Sequence, residues 1–166
     1  MENKKELVIT RTYNAPRELV YKAWSEAERL AQWWGPKGCN ITVKKLDFRP
    51  GGVFHYGMGL PNGAVMWGLF TYRDMQAPEK IVFVNSFSDE DGNLTRSPYH
   101  TVWPLEVLNT LLLTEDNGKT TVTLSGYPIN ATKEEMEIFE ASAGQMQQGF
   151  KGTFDQLEEY LNHNQL

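Results

Sequence analysis

The C-terminal stretch Thr132-Lys133-Glu134-Glu135-Met136-Glu137-Ile138-Phe139 decides how the chain is read. A Thr followed three residues later by Glu is a capping box, in which each side chain satisfies a backbone N–H of the other at a helix start. Beyond it, apolar residues fall at Met136, Phe139, Ala143, Met146, Phe150, Phe154, Leu157 and Leu161. Steps of three and four residues mark one face of a helix. The spacing predicts a single helix over 132–162, about 30 residues and about 45 Å long, with Phe150 among its buried anchors. Such a helix needs a broad apolar partner. Gly144, Gly149 and Gly152 interrupt it, each costing about 1 kcal/mol relative to Ala. They are expected to serve close packing or a slight bend, or to leave clearance for a ligand beneath the helix.

Upstream, the one partner broad enough is a sheet. Residues 6–13 read as a first strand, and 40–48, 52–58, 64–74, 80–88, 99–114 and 119–126 as further ones. Arg49-Pro50-Gly51-Gly52, Pro61-Asn62-Gly63, Asp91-Gly92-Asn93 and Asp116-Asn117-Gly118 supply turn chemistry between them. Connections this short join antiparallel neighbours. In the first of these turns, Gly51 or Gly52 should take positive φ after Pro50. Pro104 signals an edge, a bulge or a break inside 99–114, and it leaves the inward register of that segment open. Between the first two strands, Pro16 suits the first position of a helix carrying Leu19, Val20, Ala23 and Trp24. Ser25-Glu26-Ala27-Glu28 reads as a second capping box, opening a short helix that Gly35-Pro36 ends. The fold class is α+β, with one domain over residues 1–166.

Composition narrows the function. Sixteen Lys and Arg against 21 Asp and Glu give a net charge of −5, which offers no electrostatic hold on nucleic acid or anionic membrane. The single Cys39 excludes an internal disulfide and any Cys-x-x-Cys motif. The polar amino terminus and the lack of an 18-residue apolar run point away from a signal peptide or membrane insertion, so a cytoplasmic location is expected. His55, His100 and His163 lack metal-ligand spacing, so neither metal nor cofactor is expected. Gly57-x-Gly59-x-x-x-Gly63 has the wrong spacing for a dinucleotide loop, and hairpin-like sequence follows it. Asp47 and Glu106 are candidates for acid–base work only if burial shifts them, and no compact catalytic motif accompanies them. No catalytic residue is assigned.

Four motifs, in order along nearly the whole chain, resemble a known family. They are Asn14-Ala15-Pro16-Arg17-Glu18-Leu19-Val20-Tyr21-Lys22-Ala23-Trp24, Trp33-Trp34-Gly35-Pro36, Asp47-Phe48-Arg49-Pro50-Gly51-Gly52, and Gly149-Phe150 followed by Asp155-Gln156-Leu157. The chain resembles the activator of heat-shock protein 90 ATPase homologue family of the START-like (SRPBCC) superfamily, with Phe150 where the family usually has Trp. The resemblance implies a helix-grip fold: a curved antiparallel sheet of six or seven strands around a long C-terminal helix, two short helices after strand one, and a cavity between sheet and helix.

Twenty aromatics supply walls for such a cavity. The expected lining is Trp34, Phe54, Tyr56, Met66, Trp67, Phe83 and Trp103 from the grip, and Ala143, Met146 and Phe150 from the covering helix. His55, Asn85 and His100 are the candidate polar groups. A close-packed core is the alternative use of the same aromatics. A solidly packed sheet–helix interface, with no pocket of even about 300 Å³, would instead favour an interaction module. The leading expectation is a protein that binds an apolar or aromatic small molecule, with apolar dyes or aromatic acids as probes. A START-like cyclase or hydrolase and a co-chaperone-like interaction domain stand as alternatives. The co-chaperone's separate amino-terminal domain has no room in this chain, which weighs against a chaperone partner. An exposed edge strand or the Trp-rich second helix is open to homodimer formation.

Overall fold

The computed structural model describes residues 6–98 and 100–164. Strand β1 (Leu7–Tyr13) leads into α1 (Arg17–Ser25) and α2 (Ala27–Trp33). Then come β2 (Asn40–Leu46), β3 (Val53–Gly59), β4 (Val65–Gln76), β5 (Lys80–Ser88), the two-residue β6 (Leu94–Thr95), β7 (Val107–Asp116) and β8 (Lys119–Pro128). Helices α3 (Lys133–Ala141) and α4 (Ala143–His163) close the chain. Seven strands form one antiparallel sheet in the order β1-β8-β7-β5-β4-β3-β2, with β6 paired to β5 at its side.

Side chains alternate across a strand, so each strand sends one set of residues to the core. Phe54, Tyr56 and Met58 of β3, Phe70 and Tyr72 of β4, Phe83 of β5, and Leu111 and Leu113 of β7 form this inner face. The second half of α4 packs on it through Phe154, Leu157 and Leu161, all 0–1 % exposed. Tyr13 Oη of β1 donates to the Phe154 carbonyl at 3.3 Å. The indoles of Trp24, Trp33 and Trp34 wedge the short helices against this core in edge-on contacts with one another.

The expected turn at Arg49-Pro50-Gly51-Gly52 is present. Gly52 N–H donates to the Arg49 carbonyl at 2.8 Å, and Gly51 has φ +85°. A Cβ on Gly52 would lie 2.0 Å from the Asp47 carbonyl oxygen, so only glycine fits there.

The structure corrects several local expectations. The C-terminal helix is two helices. At Ser142 (φ −95°, ψ 5°) the N–H is shared between the carbonyls of Ile138 and Phe139. Ser142 and Gly144, two residues apart, are both poor helix formers, a common cause of a kink. Gly144 and Gly149 are exposed, with no atom within 4 Å of an added Cβ, so they serve neither close packing nor clearance. The box at Ser25 does not form: Glu26 is the N-cap of α2 and makes no side-chain cap. Pro16 caps α1 and does not occupy its first turn. Residues 100–106 are not strand, since β7 begins at Val107, beyond Pro104; Tyr99 lies outside the described residues.

Candidate functional site

Where the inner face runs past the Phe54–Phe70–Phe83 packing, the residues turn smaller and more polar, and a pocket of about 220 Å³ opens. It falls short of the about 300 Å³ expected. Its floor carries Tyr56, Gly68, Asn85 and Asn109, its sides Leu7, Met66, Phe87 and Val107, and its roof Trp103, Pro104, Phe139, Met146 and Phe150.

Two glycines give the floor its polar groups. A Cβ on Gly68 would stand 2.4 Å from the Tyr56 ring and hydroxyl, and one on Gly126 would stand 2.4 Å from Asn109 Oδ1. Tyr56 and Asn109 therefore lie flat across the neighbouring strands where any larger residue would push them away. Burial pushes the Tyr56 phenol up to about 12, a shift that the Trp34 indole beside it partly offsets. The indole N–H itself falls outside hydrogen-bond geometry. Tyr56 is thus a protonated donor at neutral pH. Asn109 Nδ2 donates to the Val107 carbonyl at 3.1 Å, which leaves Oδ1 as an acceptor.

The roof is held by one ion pair. Arg96 Nη1 lies 2.5 Å from Glu135 Oε2 and donates to the Trp103 carbonyl at 3.1 Å. Glu135 also completes the Thr132 capping box, with both reciprocal hydrogen bonds formed. The Thr132 backbone N–H and the Arg96 guanidinium hold the Glu135 carboxyl below its ordinary range. Trp103 then rests on Phe139, ring centroids 5.7 Å apart.

Of the expected lining, Tyr56, Met66, Asn85, Trp103, Met146 and Phe150 meet at this pocket. Trp67 borders it from the strand, but its ring lies on the opposite sheet face. There it packs over Gly57, 5.4 Å from the His55 ring and 5.3 Å from Lys44 Nζ. His55 shares that face and bonds the Asp89 carbonyl through Nε2 at 3.1 Å. Trp34, Phe54 and Phe83 are buried in the aromatic core beside the pocket. Ala143 is half-buried and outside the lining, and His100 is exposed in the loop before β7. Asp47 pairs with Arg49 at 2.7 Å, and Glu106 accepts from Asn130 at 3.3 Å, both in exposed settings. Cys39 is half-buried against the core.

The lining residues Leu7, Gly68, Ser86, Phe87, Pro104, Val107, Asn109 and Phe139 are not among those expected from the sequence. For Asn109 a signal existed: Val107, Asn109, Leu111 and Leu113 share one parity, and the last two are plainly core-facing. Among the described residues, no group of three or more His, Cys, Asp or Glu could hold a metal. No helix among the described residues is long and apolar enough to cross a membrane.

An open, curved antiparallel sheet with a long C-terminal helix across its inner face defines the START-like fold. The chain belongs to the family described as Activator of Hsp90 ATPase homolog 1-like protein, which matches residues 14–162. A crystal structure of a Mycobacterium smegmatis protein is similar at 26 % identity and a TM-score of 0.77, covering 96 % of each chain. A solution structure from Staphylococcus epidermidis is 26 % identical with a TM-score of 0.76, covering 100 % of this chain and 94 % of that one. One from Arthrobacter aurescens has the same fold at 24 % identity and a TM-score of 0.79, covering 95 % and 86 %. No curated protein matches the chain.

Proposed function

We propose that the protein binds an apolar or aromatic small molecule between the β3-β4-β5-β7 face, the residues before β7 and the α3–α4 roof. The observation that carries this reading is the pocket itself, with Met66, Val107, Phe139, Met146 and Phe150 around a floor of Tyr56, Asn85 and Asn109. Ligand sites combine apolar walls with a few placed polar groups in this way. The roughly 220 Å³ is below the about 300 Å³ of drug-sized ligand pockets but above the about 150 Å³ of an apolar cavity that takes benzene, so it suits a small one-ring molecule. Met146 adapts its shape to different ligands at little cost.

Val107→Trp tests the reading by filling the pocket from a strand end, a position that Ala143 does not offer. Protein purified under native conditions should carry a retained small molecule by mass spectrometry, or take one up with saturable tryptophan quenching. The variant should do neither while keeping its fold. Equal uptake by parent and Val107→Trp would overturn the reading.

A further inference from the structure

Resting on the pocket reading above, we infer that the ligand is an uncharged aromatic bearing a hydroxyl group, and that the site selects against aromatic carboxylates. No described residue lining the pocket carries a charge. Arg96, the cation on the roof segment, has its guanidinium engaged by Glu135 and the Trp103 carbonyl. The roof residues Trp103, Phe139, Met146 and Phe150 are uncharged too, so an anion meets no counter-ion among the lining residues. A carboxylate drawn into such a site loses its hydration without a compensating partner.

The floor asks instead for a group that both donates and accepts. Tyr56 is 6 % exposed, and its hydroxyl lies beside the Trp34 indole, whose N–H falls outside hydrogen-bond geometry. The hydroxyl remains a donor at neutral pH. Asn85 adds an amide with both capacities, and Asn109 presents Oδ1, its Nδ2 being held by Val107. A ligand hydroxyl can accept from Tyr56 or Asn85 and donate to Asn109 Oδ1. A hydrocarbon leaves these groups unpaired, and unpaired buried polar groups are what give such sites their discrimination.

The test uses three probes built on one ring: toluene, p-cresol and p-toluate, titrated at pH 7 and followed by backbone amide shifts. p-Cresol should bind about fivefold tighter than toluene, and p-toluate at least about thirtyfold weaker than p-cresol. Tyr56→Phe, which removes only the hydroxyl, and Asn85→Leu should each bring p-cresol toward parity with toluene while leaving toluene within about twofold. Agreement of either folded variant with this pattern supports the inference. p-Toluate binding as tightly as p-cresol, or a p-cresol preference unchanged in both variants, overturns it and leaves the pocket reading standing. Failure of all three probes to bind overturns both.

Discussion

Glu135 Oε2 lies 2.5 Å from Arg96 Nη1, and through that contact the start of α3 holds the residues that roof the pocket. The same carboxylate caps α3 through Thr132. Its folded pKa lies below the ordinary value of about 4.5. The stability it supplies is therefore present above the unfolded value and is lost as pH falls through the folded one. Thermal melts of parent and Glu135→Gln should differ most near pH 7, and the gap should narrow as pH falls below the ordinary carboxylate range and close once the folded carboxyl is protonated. A gap independent of pH would show that the ion pair and the cap contribute nothing through charge.

The exposed glycines of α4 give a prediction of opposite sign. With open space around an added Cβ, Gly144→Ala and Gly149→Ala should each stabilise by about 0.5–1 kcal/mol through helix propensity and a less flexible unfolded chain. Denaturant midpoints at an unchanged slope would measure this. A loss of stability in either variant would mean that the glycine has a packing role.

The anchor of α4 is Phe154, and Phe150 lines the pocket roof. Phe154 is fully buried and meets Tyr13 and Trp24 edge-on. Phe154→Ala should cost about 3–5 kcal/mol. The half-buried Phe150 should cost less than half as much on truncation and should instead loosen ligand retention. Equal costs in urea melts would contradict this division of the helix.

Much of the architecture was legible because it rests on local signals. Thr132 and Glu135 fix a helix start within four residues, and Pro50-Gly51 fix a turn within two. The class of the site was legible through Tyr56, Met146 and Phe150, each on the right face of its own element. What was hidden depended on longer relationships. Trp67 faces away from the pocket because β4 pairs Gly57 with Trp67 and Tyr56 with Gly68, a register set by the hairpin and not by composition. Asn109 was obscured by carrying the strand back across Pro104, which removed the parity argument that Leu111 and Leu113 would have supplied. The break at Ser142 leaves the apolar spacing intact, so periodicity passes over it.

Where a ligand sits is read from an assigned amide spectrum recorded with a one-ring aromatic such as p-cresol. Binding in the pocket should give saturable shifts centred on Gly68, Asn85, Asn109 and Met146, with Gly51 at the far turn unmoved. Shifts centred on Lys44, Gly57 and the Trp67 indole, across the sheet from the pocket, or no saturable shifts at all, would contradict it.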